Sequence, residues 1–172
     1  MSEDGTIITR LDTDAPLANG ADTSPAAAII SQYVKDLSVE NPAAPDSFGW
    51  TDAPQIDVQF NIAARAISDE VSEIELKIAI ASKCEAGTQF IVDLSYCGLV
   101  GMRGLDESQM HAFTYAEAPR LLFPFARRVV AEAVRDAGFA PLMLDPIDFN
   151  GLYMSQLAAS QDAEGTVPVG NA

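Results

Sequence analysis

Few side chains here are of types that make or break bonds. His111 is the single histidine, and Cys84 and Cys97 are the two cysteines. A histidine becomes a metal ligand or proton carrier only when partners converge on it, and no spacing in the chain supplies them. Cys97 follows Tyr96 in an apolar stretch, so a structural thiol is expected rather than a nucleophile paired with His111. Gly98, Gly101 and Gly104 spell G-x-x-G-x-x-G, which is neither a dinucleotide fingerprint nor a phosphate loop, since no Lys-Ser/Thr follows. They read as a flexible connector. Asp145 and Asp148 could hold Ca²⁺, but Asp145 precedes a proline and Asp148 stands where a helix needs its N-cap. Capping is the expected role. The residues therefore predict no enzyme, no metal and no cofactor.

Composition points to binding instead. The chain has 172 residues, is 48% hydrophobic and carries a formal net charge of −15. That length suits one domain with a modest core. Such acidity disfavours nucleic acid and anionic membrane and favours a basic partner surface. Two cysteines without CxxC spacing predict reduced thiols and a cytoplasmic setting. Glu3 and Asp4 and the absence of an apolar h-region predict no signal peptide, and no apolar run reaches the ~20 residues of a membrane span. Residues 1–26 read as a disordered acidic arm of net −4 and residues 158–172 as a flexible tail of net −2, leaving −9 on the folded part.

The elements between the tails are strands followed by helices. Ile30 to Glu40 alternates, which places Tyr33, Leu37 and Val39 on one face and Val34, Asp36, Ser38 and Glu40 on the other. Ile56 to Ile62 and Glu73 to Ile80 alternate as one-sided strands, and Phe90 to Tyr96 makes a fourth. Short connections predict antiparallel neighbours. Helical structure is expected from Asp106, bent or broken by Pro119 and Pro124. Leu122, Phe125, Ala126, Val129, Val130, Ala133, Val134 and Ala137 would form its apolar stripe, ended by Gly138. Asp148 would start a second helix carrying Phe149, Leu152, Tyr153, Met154 and Leu157. The fold class is α+β: a four-stranded antiparallel sheet with a broken long helix and a C-terminal helix packed on one face.

Binding candidates follow from surplus surface. Asp36 and Glu40 lie on one strand face, roughly 13 Å apart at ~3.3 Å per residue, and suit either a solvated face or a docking site. Trp50 and Phe48 sit in a Pro-rich loop, as a core plug or the lid of an apolar groove. Ile56, Val58 and Phe60 read as core. On the fourth strand, Phe90, Val92, Leu94 and Tyr96 oppose Ile91, Asp93, Ser95 and Cys97, so whichever face turns outward carries apolar area. That predicts a homo-oligomer.

The segment FPFARRVVAEAVRDAGFAPLMLDPIDFNGLYM resembles the signature of the SecB protein-export chaperones: an FP-aromatic-AR helix, a G-F-x-P break and an L-x-P-[IV]-[ND]-F second helix. YVKDLSVENPAAPDSF is similar to the family's first strand and following loop, and the likeness covers about residues 27–157. The resemblance implies a cytosolic, ATP-independent chaperone, tetrameric as a dimer of dimers, that holds unfolded secretory precursors and passes them to the motor ATPase SecA. It implies SecA contacts at Asp36, Glu40, Ile91 and Asp93, and dimer association at Val92, Leu94 and Tyr96. It also implies a client groove at Trp50, Ile56, Val58, Phe60, Phe149, Leu152, Tyr153 and Met154. Protection of an antitoxin is a related role, and a small ligand carrier or enzyme built on the Trp50 pocket is a distant one. The fourth strand departs from many members by ending Tyr96-Cys97-Gly98 instead of in paired glycines, and the tail has no basic residue.

Overall fold

The computed structural model describes residues 24–164, so nearly all of the expected acidic arm lies outside the described residues. Four strands, β1 (Ala26–Glu40), β2 (Gln55–Ala66), β3 (Val71–Cys84) and β4 (Gly87–Arg103), form one antiparallel sheet. Their order is β1-β4-β3-β2, which leaves β1 and β2 as edges. All four outrun the stretches that alternation marks. Gly98 and Gly101 therefore lie inside β4 and are not a flexible connector. Gly98 is needed for space: a Cβ there would stand 2.9 Å from Leu122 Cδ2 on the helix above. Gly104, at φ +65°, makes the turn out of the strand.

The inner face of the sheet carries Ile74, Leu76, Ile78 and Ile80 from β3 and Phe90, Val92, Leu94, Tyr96 and Val100 from β4, all buried. Above them lies the broken helix expected from the prolines. It comprises α1 (Glu107–Ala112), a wider π turn over Phe113–Glu117, and α2 (Ala118–Asp136). The π turn ends just before Pro119, which lacks the N–H that α-helical bonding would require there. Asp106 caps α1 by accepting from the Gln109 N–H, and Gln109 Oε1 accepts from the Asp106 N–H in return. Leu122, Ala126, Val130 and Val134 seat α2 on the sheet with no exposed surface. Phe125, expected on that stripe, is 44% exposed, and Phe123 is buried in its place.

Gly138, at φ +96°, ends α2 as expected, donating to the Arg135 carbonyl while Phe139 donates to that of Val134. Helix α3 (Phe149–Glu164) follows, and Asp148 caps it by accepting from the Gly151 N–H at 2.9 Å. The helix runs past Leu157 into the first part of the expected tail, and residues 165–172 lie outside the described residues.

The faces of β1 differ from the strict alternation expected. The pairing with β4 slips between Ile29 and Ser31 and again between Val34 and Asp36, so Ile30 and Lys35 are bulged. Val34 stands opposite Tyr96, Leu37 opposite Leu94 and Val39 opposite Val92, all on the inner face. Tyr33 stands opposite Cys97 and Asp36 opposite Ser95, on the outer one. One extra residue moves Leu37 and Val39 away from Tyr33 and joins Asp36, Ser38 and Glu40 to it.

Candidate functional site

The two faces of the sheet offer two chemically different surfaces. On the outer face, register places Glu40 beside Ile91, Ser38 beside Asp93 and Asp36 beside Ser95. All four predicted motor-contact residues, Asp36, Glu40, Ile91 and Asp93, thus share one side of two adjacent strands. Asp36, Glu40 and Asp93 are exposed, Ile91 is half-buried, and the three acids have no ion-pair partner among the described residues. Asp36 and Asp93 line a broad concavity of about 450 Å³ together with Gln59, Asn61 and Lys77. Asp57, which sequence reading did not single out, extends the row: it faces Ala81, which in turn faces Ile91. Seeing it required the strand order, because β1 and β2 follow one another in the chain but lie at opposite edges of the sheet.

Further along the same face Glu73 is neutralised. The Glu73 carboxylate accepts from Lys35 Nζ at 2.8 Å, from the Tyr33 hydroxyl at 2.5 Å and from Arg65 at 3.4 Å. Those donors, led by Lys35 and Tyr33, hold its pKa down to about 2. Accepting from it pushes the Tyr33 pKa up to about 12. Cys97 lies in β4 between the two residues, fully buried, and burial pushes its thiol up to about 11. A thiol so protonated is a poor nucleophile.

On the inner face the apolar surface is only partly covered. The rings of Phe60, Phe123 and Phe149 form an edge-to-face chain with centroids 6.0 and 5.6 Å apart. Beside it, Phe60, Ile62, Tyr115, Phe149, Leu152 and Tyr153 line a cleft of about 210 Å³ between β2 and α3. Tyr153 is held there by a 2.9 Å hydrogen bond between its hydroxyl and His111 Nδ1. This bond and the ring contact with Tyr115, at 4.7 Å, give His111 a structural place joining the broken helix to α3.

Of the predicted groove residues, Phe60, Phe149, Leu152 and Tyr153 therefore meet at one cleft. Met154 lies outside it on α3, 58% exposed. Val58 continues the inner row of β2 half-buried, and Ile56 ends it 43% exposed. Trp50 is half-buried at the opposite, hairpin end, where a Cβ on Gly87 would meet its Cη2 at 3.2 Å. Phe48 packs on Phe139, and Phe139 on Phe90, with centroids 5.4 and 5.1 Å apart. Phe123 and Tyr115 were missed. Phe123 shares the Pro119–Leu122–Ala126 side of α2, and its signal was hidden by anchoring the stripe on Phe125; Tyr115 sits in the π turn, where helical periodicity fails.

Val92, Leu94 and Tyr96, expected at a subunit interface, lie on the inner face of β4. They are 0%, 2% and 6% exposed and face this chain's own helices. They support the helix layer of the chain. The uncovered apolar area is not on β4 at all but on the inner side of edge strand β1. There Val34, Leu37 and Val39 are 43%, 42% and 36% exposed, because α2 sits over the sheet centre.

Among the described residues no cluster of three or more His, Cys, Asp or Glu could hold a metal, and no helix is long and apolar enough to cross a membrane.

Comparison with known proteins agrees with this geometry. The family model of the preprotein translocase subunit SecB matches residues 20–160. The protein-export protein SecB of Novosphingobium aromaticivorans is 61% identical, with all of both chains covered. That of Erythrobacter litoralis is 55% identical, again over all of both chains. The Zymomonas mobilis protein is 45% identical, covering 90% of this chain and 96% of its own. Among solved structures, the Mycobacterium tuberculosis Rv1957 SecB-like chaperone, bound to a ChAD peptide from the HigA1 antitoxin, superposes with a TM-score of 0.60. It is 16% identical, covers 70% of this chain and 90% of its own, and shares the fold. Matched end to end by export proteins, the chain belongs to the SecB family, whose members are chaperones and not enzymes, and is a chaperone of preprotein export.

Proposed function

We propose that this chain works as an ATP-independent cytosolic holdase: it keeps secretory precursors unfolded on its inner, apolar side and delivers them to the SecA motor through its outer, acidic side. One observation carries the reading. The acids Asp36, Glu40 and Asp93, without an ion-pair partner among the described residues, and the aromatic cleft of Phe60, Phe149, Leu152 and Tyr153 lie on opposite faces of one sheet. Apolar client surface covered in the cleft contributes roughly 25 cal/mol per Å², and several weak sites on one assembly add avidity. The free edge of β2 can also pair with extended client backbone. The acidic row attracts a basic patch independently, by long-range Coulomb steering.

The assembly we propose is a homotetramer, a dimer of dimers. The exposed inner side of β1, with Val34, Leu37 and Val39, and the unpaired β1 edge supply surface for a second copy. Export is preferred to antitoxin protection because full-length likeness at 61% identity joins this chain to export proteins, whereas the antitoxin-bound structure shares only the fold.

The test is a double variant, Asp36→Ala with Glu40→Ala. Binding of purified SecA should be abolished while capture of a reduced, denatured precursor persists. If both activities fall together, the two-face reading is wrong.

A further inference from the structure

We infer that the client cleft does not end at Tyr153: beyond that ring lies a second apolar subsite, between the broken helix and α3, and an extended client segment with apolar side chains at alternate positions fills both. This rests on the client-holding role proposed for the inner side. The second cavity measures about 170 Å³. His111, Leu157 and Ser160 line it alone, whereas Tyr115, Tyr153 and Gln156 also line the cleft of Phe149 and Leu152, of about 210 Å³. Two cavities that share three lining residues stand one side chain apart.

The divider between them is held firmly. Tyr153 is 8% exposed, and its hydroxyl shares a 2.9 Å hydrogen bond with Nδ1 of His111, itself part of the second lining. The His111 ring also packs against Tyr153 and Tyr115, with centroids 5.5 and 4.7 Å apart. Tyr153 is thus fixed at its hydroxyl and along its ring, which gives each cavity a defined wall.

Both linings select the same ligand chemistry. In a chain of net charge −15, no Asp, Glu, Lys or Arg lines either cavity. Polar groups of the second are already engaged: His111 Nδ1 with Tyr153, and the Ser160 hydroxyl by donating to the Gln156 carbonyl at 2.9 Å. Ring and aliphatic surface remains, which favours apolar groups and calls for no charge. Size agrees with this, since an apolar cavity of about 150 Å³ takes one benzene-sized group. Each cavity therefore suits one leucine- or phenylalanine-sized side chain. Alternate side chains of an extended segment share a face about 7 Å apart. That matches two groups touching opposite sides of one ring at about 3.5 Å each.

The experiment measures, by fluorescence anisotropy, binding of two short soluble peptides to the full chain. One carries a single leucine, the other leucines at positions i and i+2. The second should bind about tenfold tighter, as one more partly buried leucine provides. Leu157→Trp fills the second cavity from a position outside the first, so it should erase that gain and leave single-leucine affinity unchanged. Ser160→Phe, from the exposed rim, should do the same. The inference is overturned if the gain survives both substitutions or if they weaken the two peptides equally. A change in the native mass of the assembly would overturn it too, because another copy of the chain would then be covering this surface. Leu152→Ser reads the client cleft separately: it should weaken both peptides, and unchanged binding of both would remove the cleft itself from client capture.

Discussion

Gly98 and Leu122 meet more closely than any side chain on the strand would allow: a Cβ on Gly98 would lie 2.9 Å from Leu122 Cδ2. Leu122 has no exposed surface, so any shift it makes disturbs the core around it. Gly98→Ala should therefore force α2 off β4 and cost about 1–3 kcal/mol, as overpacking does. Urea unfolding at fixed protein concentration reads the loss. An unchanged midpoint would mean the helix can shift freely.

Leu94 tests where the fourth strand's apolar face goes. Buried under this chain's own helices, Leu94→Ala should destabilise by about 2–5 kcal/mol through lost transfer energy and a cavity. A residue acting only between subunits would instead shift the concentration dependence of assembly and leave subunit unfolding alone.

The exposed apolar residues of α3 should behave in the opposite way. Leu152 and Met154 are 52% and 58% exposed, so Leu152→Ser with Met154→Ser should move stability by about 0.5 kcal/mol or less per site. Capture of a denatured precursor should weaken several-fold. Aggregation suppression at matched stoichiometry is the measurement, and undiminished capture would remove α3 from the groove.

The outer cluster makes a prediction at both ends of the pH scale. Glu73 is held down to about 2, so its contribution to stability is full above the usual carboxylate range near 4.3 and is lost as pH falls toward 2. Tyr33 is pushed up to about 12, so its contribution is full below the usual value near 10 and is lost as pH rises through 12. Near-ultraviolet titration should lose a late tyrosine step in Tyr33→Phe. A Tyr33 step near 10 in the original chain would show that the hydroxyl does not donate to Glu73.

Cys97 is fully buried with its thiol raised to about 11, while Cys84 is half-buried at the β3–β4 turn. A thiol reagent at neutral pH should label Cys84 well before Cys97 in the folded protein. Equal rates would mean that β4 opens readily.

Alternation of Ile74 to Ile80 and of Phe90 to Tyr96, the cap at Asp148 and the stop at Gly138 were all legible in the chain, because period and capping are local properties of neighbouring residues. The antiparallel sheet with its broken helix follows from them. Three matters needed the tertiary structure. Which face of β4 is covered depends on where α2 lands, and that buried Val92, Leu94 and Tyr96. A strict period of two cannot register a one-residue bulge, so Asp36 and Glu40 exchanged partners with Leu37 and Val39 when Lys35 stepped out of line. Gly98 looked like a hinge because glycine promises freedom to a reader of sequence, whereas here it supplies room for a neighbour that only packing brings near.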